Sequence, residues 1–130
     1  MPYEAVKCSA IPQPATPYSP AVISTGTRTV HISGQVAIDD KGELVGAGDA
    51  AAQAVQALAN MKLLVEAAGG TMRDVARITF FVLDRSHFAG IIAARKSFFS
   101  PPYPATTGLI VSGLLRPEWL VEIEGTAYLN

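Results

Sequence analysis

Apolar positions 49–68 follow one helical face: Ala54, Leu58, Met61, Val65 and Ala68 succeed one another at steps of four, three, four and three. Asp49 has the chemistry of an N-cap, and Gly69-Gly70 that of a stop. The segment is rich in alanine, so neighbouring elements can pack close against it. Thr71-Met72-Arg73-Asp74 carries a capping-box pattern for a single turn. The run 75–83 is β-branched and aromatic and predicts a strand, central in its sheet. Ser86 is expected to cap a second helix, whose inner stripe and edge are Phe88, Ile91, Ile92, Arg95, Phe98 and Phe99. Ser100-Pro101-Pro102-Tyr103-Pro104 ends it. Strands are expected over 106–112 and 120–129, with a loop over 113–117.

The N-terminal part reads as extended structure. A short strand is expected over 3–7. A proline-rich loop follows, with Pro12, Pro14, Pro17 and Pro20 withholding ladder donors. Segments 21–24 and 29–33 read as strands joined by Thr25-Gly26-Thr27, which predicts a hairpin, and Asp39-Asp40-Lys41-Gly42 as a further turn. The order of strands, helix, strand, helix, strand, strand predicts one α+β domain over 1–130, with both helices on one face of a mixed sheet. The opposite face would then be bare in a lone protomer, and a bare apolar face is an association surface.

Composition narrows the function classes. With 49% hydrophobic and 16% charged residues, the 130-residue chain can fill a core, and the apolar excess points to burial against other copies. A net charge of −1 argues against a dedicated nucleic-acid binder. No apolar run approaches a membrane span, and the first residues lack the apolar core of a signal peptide, so a cytoplasmic location is expected. One cysteine excludes an internal disulfide, and His31 and His87 lie too far apart for zinc-ligand spacing, so no zinc site is expected.

Several residues carry possible chemistry. Gly46-Ala47-Gly48-Asp49-Ala50-Ala51 matches a dinucleotide-binding pattern, but only Leu44-Val45 precedes it, so it reads as a loop leading to a capped helix. Cys8 has no neighbouring base and reads as a packed thiol. Glu122 and Glu124 stand at i and i+2 of an apolar strand and share one face, with Val121 and Ile123 on the other. On a solvent face they are ordinary charges; in a cleft, one is a candidate acid–base group. Arg95 interrupts an apolar stripe, either snorkelling at the helix edge or bringing a charge to a site.

Taken in order, further segments form a set: Pro17-Tyr18-Ser19, Ile32-Ser33-Gly34-Gln35, Gly42-Glu43-Leu44-Val45, Asn60, Ala67-Ala68-Gly69, Asp74-Val75, Phe80-Phe81-Val82, Phe98-Phe99, Pro104-Ala105-Thr106-Thr107 and Leu120-Val121-Glu122-Ile123-Glu124. Across nearly the whole chain this set resembles the RidA (YjgF, L-PSP endoribonuclease-like) family. The resemblance implies a chorismate-mutase-like α+β fold and a homotrimer with a barrel-like core and clefts between subunits. It also implies hydrolysis of reactive imines or enamines to keto acids and ammonia, with no cofactor. It assigns Glu122 to water positioning and proton transfer, and it places Tyr18, Ser33, Gly34, Thr107 and Gly108 around the substrate.

The chain departs from the family pattern at three positions: Thr106 stands where that branch has its carboxylate-clamping arginine, Ile92 where it has an asparagine, and Arg95 where it has a tyrosine. Loss of the clamp would cost on the order of 3 kcal/mol, about a hundredfold in affinity. One neutral hydrogen bond from Thr106 would not replace it. Three readings result: a RidA-like hydrolase of altered specificity acting on a small metabolite, a non-catalytic trimer that binds a metabolite or partner, and an RNA-cleaving protein. The missing clamp predicts weak turnover of 2-iminobutyrate, partly restored by Thr106→Arg.

Overall fold

In the computed structural model, residues 3–6, 8–10 and 17–130 are described. Half of the proline-rich loop (11–16) and Lys7 lie outside them. Strands β1 (Tyr3–Ala5) and β2 (Val22–Ser24) form a small antiparallel sheet. Strand β3 (Arg28–Gln35), helix α1 (Ala50–Ala67), strand β4 (Val75–Val82), helix α2 (Phe88–Phe98), strand β5 (Ala105–Ile110) and strand β6 (Val121–Leu129) follow in chain order. The main sheet has the order β3-β6-β4-β5, with β4 and β5 parallel and the other pairs antiparallel. The two helices pack together and cover one face of it. This is the mixed-sheet α+β arrangement expected from the sequence.

The expected hairpin does not form. β2 pairs with β1, and β3 turns away to pair with β6 along most of its length. Thr25-Gly26-Thr27 therefore joins two sheets. The Thr27 amide donates to the Leu129 carbonyl, and a Cβ on Gly26 would lie 2.8 Å from that same oxygen. β6 is a long apolar partner at the centre of the main sheet, and pairing with it buries Ile32 against the core.

Helix α1 starts where the pattern predicted. The Asp49 carboxylate accepts the Ala52 amide, and Gly69 takes a positive φ of 97° one residue past the C-cap. Ala54, Leu58, Met61 and Val65 are buried in the core beside Val75, Ile78, Val82, Ile91 and Ile123. The capping box at Thr71 and Asp74 closes a 3₁₀ turn leading into β4. Ser86 does not cap α2. His87 stands at the N-cap of α2 with no side-chain cap bond, because a 3₁₀ turn over Arg85–His87 leads into the helix; Asp84 caps that turn, accepting both the Ser86 amide and its hydroxyl.

Gln53 is buried in α1. Its Nε2 donates to the Gly46 and Glu118 carbonyls at 3.2 and 3.1 Å, and its Oε1 accepts the Leu120 amide at 2.9 Å. It ties the loop before α1 to the start of β6, two residues ahead of Glu122. Gly46 and Gly48, at φ of 81° and 72°, let this loop's backbone turn into α1.

Candidate functional site

Tyr18, Phe80, Phe88, Ile92, Arg95, Thr106 and Gly108 line a cavity of about 370 Å³ between α2 and the β4–β5 edge of the sheet. Local pairing explains why distant residues meet here. Ser19 bridges to Ala105 in parallel register, its amide donates to the Pro104 carbonyl at 3.1 Å, and its hydroxyl donates to the Tyr103 carbonyl. This pins Tyr18 beside Thr106. Phe80 pairs with Gly108 across β4 and β5, and a Cβ on Gly108 would lie 2.5 Å from the Phe80 Cζ, so only glycine leaves the ring its place.

Arg95 is the charged group of this cavity. It is 3% exposed, and its guanidinium sits 5.0 Å from the centroid of the Phe80 ring, which meets Phe88 edge-on at 5.6 Å. Its Nε has no hydrogen-bond partner among the described residues. Burial lowers its pKa from the usual arginine value, with the nearby Tyr18 phenol opposing the shift. An arginine remains charged through such a shift. Thr106 does not supply a donor, because its hydroxyl donates to the Pro104 carbonyl at 3.1 Å.

Glu122 lies elsewhere. Ile123 pairs with Phe80 on the helix-covered face, so Glu122, paired with Phe81, points to the other face. It is half-buried and leans over the irregular stretch of β3: a Cβ on Gly34 would lie 1.8 Å from its Oε2. Gly34 is thus a cradle for the carboxylate. Ser33, next to it, is exposed, and its carbonyl accepts the Gln35 side-chain amide. Glu124 is exposed and pairs with Thr79. Thr107 is on this same outward face, accepting a hydrogen bond from Arg77 at 3.0 Å.

The residues singled out from the sequence therefore fall into two groups. Tyr18, Ile92, Arg95, Thr106 and Gly108 share the cavity; Ser33, Gly34, Glu122, Glu124 and Thr107 belong to the outer face. Sequence reading missed Phe80 as the platform under Arg95, since a phenylalanine in a β-branched strand carries no signal beyond core.

Fold and cavity together define a small α+β protein built around a ligand-sized recess at a sheet edge. The endoribonuclease L-PSP family model matches residues 8–129. A 2-iminobutanoate/2-iminopropanoate deaminase of Dermatophagoides farinae is 36% identical over 119 residues, covering 92% of this chain and 91% of its own. A conserved Rid-family protein of unknown function from Yersinia pestis is 37% identical with a TM-score of 0.91, covering 99% of this chain and 100% of that one. RidA from an Antarctic Psychrobacter is 34% identical with a TM-score of 0.73, covering 97% and 99%. The chain belongs to the endoribonuclease L-PSP family, that of the RidA and YjgF proteins.

Proposed function

We propose that the protein is a hydrolase of small reactive imines or enamines, acting in clefts between the copies of a homotrimer. Water adds across the C=N bond while the Glu122 carboxylate takes one of its protons. That proton passes to nitrogen to complete the carbinolamine; the carboxylate then moves the carbinolamine hydroxyl proton to nitrogen as well, the C–N bond breaks as C=O forms, and the products are a carbonyl compound and ammonia. Atoms balance as imine plus water to ketone plus ammonia. The observation that carries this reading is Glu122 held against Gly34, a close approach that leaves the carboxylate half-buried beside Ser33. The relative from Dermatophagoides farinae, named for imine deamination, supports the same chemistry.

The cavity and Glu122 face opposite sides of one protomer's sheet. A second copy laid on the outer face brings one protomer's cavity to another's carboxylate, which is why a trimer suits the reaction. A non-catalytic binder was weighed because no cation stands at Thr106; Arg95 in the cavity supports the hydrolase over that reading. An RNA-cleaving reading has little to support it, with a net charge of −1 and one arginine among apolar cavity walls.

The test is keto-acid release from 2-iminobutyrate generated in solution, with and without protein. Against the weak turnover that the missing clamp alone predicts, the wild type is expected to accelerate release, because Arg95 brings a cation to the cavity. Glu122→Gln is expected to abolish the acceleration, about a hundredfold or more, with the assembly unchanged in size. Equal rates for wild type and variant would overturn the proposal.

A further inference from the structure

Arg95 is a buried cation whose Nε has no hydrogen-bond partner and which meets no carboxylate among the described residues. An ion in that state is costly, and proteins keep one where a partner arrives from outside. Its surroundings specify that partner. The Phe80 ring lies against the guanidinium on one side, its centroid 5.0 Å from Arg95 Cζ. Phe88 and Ile92 are apolar walls, and Thr106 has spent its hydroxyl proton on the Pro104 carbonyl. The cavity of about 370 Å³ amounts to roughly a dozen water volumes.

We infer that Arg95 of α2 is the anion seat of the cleft, and that the site selects compact monocarboxylates with an apolar remainder. The inference rests on reading this cavity as the substrate side of the proposed hydrolase. The carboxylate is held by a helix residue stacked on Phe80, so the position after Pro104-Ala105 needs no charge. Arg95 is the one cation of the lining, and Tyr18 and Thr106 add only neutral hydroxyls, so a second carboxylate on the ligand would be left without a counter-charge and dicarboxylates are rejected. Ile92, beside Arg95 on the same helix face, bounds the side-chain pocket and sets how large the apolar remainder can be.

Binding is measured by titration calorimetry with 2-oxobutyrate, its neutral primary amide and 2-oxoglutarate, on wild type, Arg95→Met, Arg95→Lys and Glu122→Gln. Wild type is expected to bind 2-oxobutyrate about ten- to a hundredfold more tightly than the amide or 2-oxoglutarate. Arg95→Met should lose that preference and bind acid and amide alike. Arg95→Lys should fall between, since an ammonium lacks the planar fork. Thermal melting of each variant reports folding, and Arg95→Met is expected to melt no lower than wild type because it removes a buried unpaired charge. Undiminished 2-oxobutyrate binding by folded Arg95→Met, or equal binding of acid and amide by wild type, would sink the inference. Glu122→Gln separates the two proposals: Arg95-dependent binding without Glu122-dependent turnover keeps the anion seat and removes the hydrolase, and the reverse result removes the seat alone.

Discussion

At the scale of single residues, the site depends on two glycines that are absences of a side chain. A Cβ on Gly34 would meet the Glu122 carboxylate at 1.8 Å, and one on Gly108 would meet the Phe80 ring at 2.5 Å. The two costs differ in kind. The Glu122 carboxylate is the far end of a flexible side chain and swings away cheaply, so Gly34→Ala is expected to leave the melting temperature nearly unchanged. Moving the carboxylate by about an ångström is expected to lower kcat by roughly ten- to a hundredfold, read in the keto-acid assay. Phe80 is buried against Phe88 and cannot swing, so Gly108→Ala is expected to cost about 1–3 kcal/mol of stability in denaturant titration. Glu122 was legible in the sequence because a charge alternating with buried Val121 and Ile123 stands out from its strand. Arg95 was legible only as an interruption of a stripe. Its direction depends on α2's rotation about its own axis, which the spacing of apolar residues defines only to within a broad face.

At the scale of elements, polar side chains join pieces that the apolar pattern alone would leave loose. Gln53 serves three backbone groups across the start of α1 and the approach to β6. Gln53→Leu would fill the volume but orphan the Leu120 amide and two carbonyls, and is expected to destabilise by about 2–4 kcal/mol at fixed protein concentration. Tyr3 of β1 is buried and donates to the Pro102 carbonyl at 3.1 Å, tying the small sheet to the segment after α2. Burial pushes its phenol from 10.0 up to about 12. The folded state therefore keeps this proton after the unfolded chain has lost it. The stabilisation is complete below pH 10 and drains away as pH rises toward about 12. Up to roughly 2–3 kcal/mol is involved. Denaturant unfolding from pH 9 to 12 should show that loss in wild type and not in Tyr3→Phe. The helices and most strands were readable because each has its own period and caps. The false hairpin between β2 and β3 shows the limit: two adjacent strands with a turn between them pair only if no better partner exists, and β6 lies about ninety residues away in sequence.

At the scale of the whole molecule, the outer sheet face carries Glu122, Glu124, Thr79, Phe81 and Leu109 and is covered by no helix among the described residues. Leu109 and Ile110 are half exposed, and Leu115 in the following loop is 92% exposed. Sedimentation is expected to give three chains per particle. If each cleft takes Arg95 from one copy and Glu122 from another, two inactive chains can repair each other. Co-assembled Arg95→Met and Glu122→Gln chains are expected to recover about a quarter of wild-type turnover, because random mixing leaves that share of clefts intact. Separately assembled and then mixed, without exchange, they should recover none. Failure of co-assembly to restore activity would overturn a cleft built from two copies.

Periodicity, capping residues and the placement of charge within apolar runs were enough to determine the α+β class, the two helices, the central strands and the shared face of Glu122 and Glu124. These features depend on interactions a few residues apart along the chain, where spacing is geometry. The partner of β3, the cradle at Gly34, the platform of Phe80 and the meeting of Tyr18 with Arg95 were decided by the tertiary structure. Each joins residues far apart in sequence, through strand registers and helix rotations that competing long-range pairings select and no local pattern encodes.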